Sequence, residues 1–120
     1  MTTEWPELTK TLNGWIKELR AGSPDVMRAF SGMAQAALAP KALDTKTKEL
    51  IALAIGVAVR CDDCVAFHAK AALEQGATRE EIAETLAMTV YMGAGPSVMY
   101  ASHALAAFDA FAKAKSAPQS

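Results

Sequence analysis

The sequence predicts an all-α domain, and three observations lead to it. Apolar residues recur at three- and four-residue spacing through most of the chain, alanine supplies much of an apolar fraction of 52%, and no segment sustains the alternation of a strand. Proline, glycine and capping residues fall at helix-length intervals and divide the 120 residues into about six helices of one domain. No internal repeat and no linker divides it further.

The first helix carries Trp5, Leu8, Leu12, Trp15, Ile16 and Leu19 at helical spacing, and Gly22 closes it. Ser23, Pro24 and Asp25 read as a cap and first turn, opening a second helix with Val26, Met27, Phe30, Met33 and Leu38. That helix should stop before Pro40, because a residue preceding proline avoids helical torsions. Asp44 is placed to cap a third helix from Thr45 to Val59. Within it, Leu50 to Val59 is the longest apolar run, about half a membrane span, and reads as a buried helix.

A break near Arg60 starts a fourth helix at about Cys61, with Asp62 and Asp63 in the first turn where acidic side chains suit the dipole, and Gly76 at its end. Thr78 with Glu81 makes a capping box for a fifth helix ending near Met92. Gly93-Ala94-Gly95-Pro96 interrupts the chain, and a last helix runs from Ser97 to about Lys113. The tail, residues 116–120, is expected to be disordered. Methionines 27, 33, 88, 92 and 99 read as core filler.

A net charge of −1 and a pI near 6.1 give no electrostatic reason to expect nucleic acid or an anionic membrane as partner. The segment Met1-Thr2-Thr3-Glu4-Trp5-Pro6 lacks the basic-then-apolar order of a secretory signal, so a cytoplasmic location is expected. With only 7% aromatic residues, the alanine-rich core suits close helix packing and leaves apolar faces for a subunit interface.

The two cysteines stand three residues apart. In a reducing compartment a stable structural disulfide is disfavoured, which points to catalysis or metal binding. In Cys61-Asp62-Asp63-Cys64-Val65-Ala66-Phe67-His68, helical offsets of three and seven put both cysteines and His68 on one face. α-Carbons three apart on a helix lie about 5 Å apart, inside the disulfide range of about 4.4–6.8 Å, so the pair can open and close as a redox couple.

Attack by a thiol requires its thiolate, about 3% of the population at neutral pH for a free pKa near 8.5 and about half for a pKa near 7. That gain corresponds to about 2 kcal/mol. The helix N-terminus at Cys61 and the imidazole of His68 promote ionisation, while Asp62 and Asp63 oppose it. Glu49, twelve residues before Cys61, would orient His68 directly or through water where the chain folds back. Competing readings are a pair of small buried hydrophobes, or a zinc site of Cys61, Cys64 and His68, which lacks the usual fourth ligand. No metal and no cofactor is expected. Glu49 also reads as a solvated helix residue; His103, Tyr91 and Tyr100 read as packing or interface residues.

Lys48-Glu49-Leu50-Ile51-Ala52-Leu53-Ala54 followed by Cys61-x-x-Cys64-x-x-x-His68 resembles the alkylhydroperoxidase D-like branch of the carboxymuconolactone decarboxylase superfamily. The resemblance continues through Glu74-Gln75-Gly76-Ala77-Thr78-Arg79-Glu80-Glu81-Ile82, Gly93-Ala94-Gly95-Pro96 and Tyr100-Ala101-Ser102-His103-Ala104, covering residues 40–112. It implies a helical fold that assembles as a homo-trimer or homo-hexamer. Its redox members reduce small hydroperoxides and are reset by an external dithiol, lipoyl or thioredoxin-like.

Carried over, the resemblance makes Cys64 the attacking thiolate, Cys61 the resolving thiol, His68 the base of a proton relay and Glu49 the group that orients it. The best-studied redox members place a histidine between the cysteines; here Asp62 and Asp63 stand there, so thiolate formation leans harder on His68. The resulting expectation is a peroxiredoxin-type enzyme. A general thiol-disulfide oxidoreductase, a non-enzymatic redox sensor and, more distantly, a decarboxylase or lactone-processing enzyme are the alternatives.

Overall fold

A computed structural model describes residues 4–117, and among them all regular structure is helical. The elements are α1 (Trp5–Gly22), α2 (Pro24–Leu38), α3 (Thr45–Ala58), α4 (Asp62–Glu74) and α5 (Arg79–Ser116). The fold class is the expected one, with five helices in place of six. The predicted gap at residues 93–96 is a kink inside α5, where Ala94 alone leaves helical torsions (φ 54°, ψ −140°). Pro96 then falls in the first turn of the resumed helix, where its missing N–H costs little. Gly93 makes room for that turn: a Cβ there would lie 2.9 Å from the Cβ of Ser97. At the other end Ser116 still belongs to α5 and Ala117 caps it, a correction to the expected tail. The rest of that tail, residues 118–120, lies outside the described residues.

Local hydrogen bonds set the helix starts. Asp44 accepts from the Thr47 N–H at 2.8 Å, and bonding to Thr47 holds its carboxyl below the usual range. The capping box is complete, with the Glu81 N–H on Thr78 Oγ1 (3.1 Å) and the Thr78 N–H on Glu81 Oε1 (2.8 Å). Lys46 of α3 donates to the other Glu81 oxygen at 2.8 Å, tying the start of α5 to α3.

The bond from Lys46, then that from Thr78, lowers the Glu81 pKa. Folding therefore favours the Glu81 carboxylate, a contribution fully present above the ordinary carboxylate range and lost as pH falls through the lowered folded value. Glu81→Gln is expected to flatten the acid limb of the stability–pH curve slightly, since both partners are about a third exposed, at 31% and 35%. Urea midpoints between pH 3 and 7 measure this, and an unchanged acid limb would remove Glu81 from the account.

The ends of α3 and α4 share one solution. Arg60 N–H bonds the Val57 carbonyl (3.1 Å) and Cys61 N–H bonds that of Gly56 (3.0 Å), with Arg60 left-handed at φ 58°. After α4, Gly76 (φ 88°) and Ala77 repeat the pattern onto Leu73 and Ala72. A glycine adopts this conformation without a Cβ penalty, and an arginine does not. Arg60→Gly is thus expected to stabilise the fold by about 1 kcal/mol in urea unfolding at fixed redox state. A neutral or destabilising result would mean that the Arg60 side chain makes up for its strained backbone.

The core lies between α3, α4 and α5: Leu53 and Val57, then Val65, Ala66, Ala69 and Ala72, then Ile82, Leu86, Ala104, Ala107, Phe108 and Phe111. Only the first half of α1 joins it, through Trp5, Leu8 and Leu12, while Trp15 and Leu19 are exposed. No residue of α2 is buried, and that helix packs on α1 and α3 alone.

Two expectations are corrected here. Met33, Met88, Met92 and Met99 are exposed, so they are not core filler. The run Leu50–Val59 is buried on one face only: Leu53, Gly56 and Val57 face inward, while Ile51, Ile55 and Val59 face outward. A helix apolar on all sides has a second face for which one bundle supplies no cover. That face borders a groove of about 510 Å³ shared with Met88 and Met92. Among the described residues no helix is long and apolar enough to cross a membrane.

Candidate active site

The turn that ends α3 delivers Cys61 as the N-cap of α4. Its Sγ accepts the Cys64 N–H at 3.1 Å and is bonded to the Cys64 sulfur, with α-carbons 5.2 Å apart. The pair is therefore seen closed, in its oxidised form. Cys61, Asp62 and Cys64 are all half-buried at the surface.

Behind the pair, α3 and α4 pack closely enough to bring Glu49 onto His68. Glu49 Oε1 lies 2.8 Å from His68 Nδ1, a direct contact without an intervening water. Glu49 is 6% exposed, and a carboxylate so buried needs a partner, which the imidazole provides. With Nδ1–H donating to the carboxylate, the free lone pair of the neutral ring sits on Nε2, the form a general base requires.

Cys64 and His68 line a small cavity of about 210 Å³ together with Ala52, Ile55, Gly56 and Val59. One sulfur of the pair, a candidate base and an apolar wall thus share one space open to a small molecule. Gly56 sets its depth: a Cβ there would stand 3.3 Å from the Cβ of Cys64, so glycine allows α3 and α4 this approach. The sequence reading passed over Gly56, although a lone glycine within an apolar helical run signals close backbone contact.

His103, read from sequence as a packing residue, also reaches the site. Its Nδ1 lies 2.8 Å from Asp62 Oδ1, and its ring packs against Tyr100 (4.9 Å between centroids) and Trp5 (6.2 Å). The structure thus holds two histidine–carboxylate pairs, Glu49 with His68 and Asp62 with His103. Tyr91 is 78% exposed on α5 and makes no part of this grouping. Among the described residues no group of three or more His, Cys, Asp or Glu side chains is arranged to hold a metal ion.

A helical domain whose cysteine pair caps one helix and is backed by a histidine of that helix and a glutamate of its neighbour defines a recognisable class. The chain belongs to the carboxymuconolactone decarboxylase family, which it matches over residues 24–107. An uncharacterized protein from Cupriavidus necator is 46% identical over 110 residues, 92% of this chain and 97% of that one. Among solved structures, an apo carboxymuconolactone decarboxylase family protein from Legionella pneumophila superposes with a TM-score of 0.90 at 47% identity, covering 93% of this chain and all of the other. A family member from Thermotoga maritima, for which a part in the antioxidative response has been suggested, superposes at 0.79 with 26% identity, covering 91% of this chain and 92% of that one.

Proposed function

We propose that the protein is a thiol-dependent peroxidase that reduces small hydroperoxides through Cys64 and Cys61. The observation that carries this reading is the cavity shared by Cys64 and His68, with Glu49 hydrogen-bonded behind the imidazole. In the reduced protein, His68 Nε2 takes the Cys64 proton and the thiolate attacks the terminal oxygen of ROOH. The O–O bond breaks, the alkoxide recovers the proton from His68 and leaves as ROH, and Cys64 becomes a sulfenic acid. The Cys61 thiol then condenses with it, forming the disulfide and releasing water. An external dithiol of the lipoyl or thioredoxin-like class restores both thiols by exchange and leaves as a disulfide.

A reducing, cytoplasmic setting is part of the same reading, and the role suggested for the Thermotoga relative supports the substrate class. Assembly as a trimer or hexamer belongs to the same reading, supported by the outward faces of α2, α3 and α5 carrying Phe30, Ile55 and Met92. The half-buried disulfide favours one second reading, a general thiol-disulfide oxidoreductase.

The test is to mix fully reduced protein with one equivalent of an organic hydroperoxide and count free thiols over time. Loss of two thiols per peroxide within seconds is expected. Thiols that survive for many minutes would overturn the peroxidase reading, and fast reduction of a model disulfide by the same sample would then support the second.

A further inference from the structure

The cycle just described, on which this inference rests, gives the relay of Glu49 and His68 to Cys64 but leaves the second half-reaction without a device. Condensation of Cys64–SOH with Cys61–SH yields the disulfide and water, and it proceeds through the Cys61 thiolate. Two features act on that thiol in opposite directions. As N-cap of α4, its sulfur accepts the Cys64 N–H at 3.1 Å, which favours the anion. The carboxylate of Asp62, one residue on, disfavours it.

The structure shows where that carboxylate goes. Asp62 Oδ1 is drawn 2.8 Å from His103 Nδ1, across a sequence distance of 41 residues and onto another helix. The imidazole is in turn seated against Trp5 of α1 and Tyr100 of α5, so two further aromatic side chains fix the donor. The other charges bordering the cleft beside His103 are Glu4 and Lys113, opposite in sign. Asp63, the remaining acidic residue of the turn, is exposed to solvent and screened by it.

We propose that His103 is a positioning residue for the resolving half of the cycle: by taking Asp62 into a hydrogen bond it keeps that carboxylate from opposing ionisation of the Cys61 thiol. An imidazole on α5 thereby offsets the acidic pair that stands between the cysteines. His103 touches neither substrate nor sulfur in this scheme and acts through Asp62 alone.

The experiment reads Cys61 directly. In a Cys64→Ser background, thiolate absorbance near 240 nm is titrated for His103, His103→Leu, His103→Asn and the double variant His103→Leu with Asp62→Asn. His103→Leu is expected to raise the Cys61 pKa by about one unit, a roughly tenfold loss of thiolate at neutral pH. His103→Asn, which keeps a donor for Asp62, should restore most of it. The double variant, which removes the carboxylate as well, should restore it too, a recovery that a purely structural role for His103 does not produce.

With both cysteines present, stopped-flow mixing with hydroperoxide should show sulfenic acid formation unchanged in His103→Leu and disulfide closure about tenfold slower. An unshifted Cys61 pKa in His103→Leu, or a double variant as impaired as the single, overturns the proposal. If no variant or parent reacts with peroxide, the peroxidase reading fails, yet the thiolate titration still decides the role of His103.

Discussion

Cys64→Ser is expected to abolish hydroperoxide turnover, while Cys61→Ser consumes one peroxide per chain and stops at a trapped sulfenic acid. The asymmetry follows from geometry: Cys64 lines the cavity with His68, whereas Cys61 caps α4 and closes the cycle from the N-terminal side. Both substitutions abolish the same four-residue loop, whose closure is worth only about 2 kcal/mol. Any difference between them is therefore chemical rather than a matter of folding. Quenching with a sulfenic-acid probe and counting labelled chains by mass separates the two. Equal loss of the first turnover in both variants would reverse or remove the assigned order of attack.

The second large effect is expected at Glu49. Glu49→Gln keeps an oxygen that accepts the His68 Nδ1–H but removes the charge that stabilises the imidazolium formed when Cys64 loses its proton. A positioned base contributes about 10²–10⁴ in rate, and loss of its supporting charge should slow peroxide-dependent thiol loss about a hundredfold at neutral pH. The deficit should shrink as pH rises past the thiol's own pKa, because the thiolate then forms without a base. Stability should change little, since a neutral side chain of the same shape at a buried position spares a desolvation cost. Rates measured from pH 6 to 10 test this; a deficit constant across that range would mean that Glu49 holds the helices together rather than the proton relay.

What the sequence made legible, and what it left hidden, divides along a physical line. Asp44 and the Thr78–Glu81 box were readable because each bond closes within three residues, so composition and spacing contain the whole interaction. The Cys61–Cys64 pair was readable for the same reason. The contact of Glu49 with His68 depends on the angle at Arg60, which local signals place only as a break; spacing allowed the contact, and the left-handed turn realises it.

Periodicity states which residues share a face, yet it does not state whether that face is covered. For this reason Met33 on α2 and Ile51 and Ile55 on α3, all on outward sides, looked like core. The bond between Asp62 and His103 joins residues 41 apart in the chain, and no local pattern encodes it. Ala94 adopts a backbone state that a glycine would be expected to hold, with Gly93 and Gly95 on either side, so the kink was legible as an interruption but not as a continuous bent helix.

The alanines of the core carry a consequence for how this molecule tolerates change. Ala66, Ala69 and Ala72 of α4 and Ala104 and Ala107 of α5 are fully buried, so methyl groups set the interaxial spacing of the two helices. Truncation, the usual way to damage an interior, has little left to remove at these positions. Enlargement is the harmful direction: each added methylene acts as a shim that separates whole helix axes, because an alanine has no rotamer through which to yield. Since α4 also carries Cys64 and His68, such a shim would alter the distance to Glu49 without touching any of the three. The reacting groups are thus held to a gauge written in the smallest side chains of the protein, none of which takes part in the chemistry.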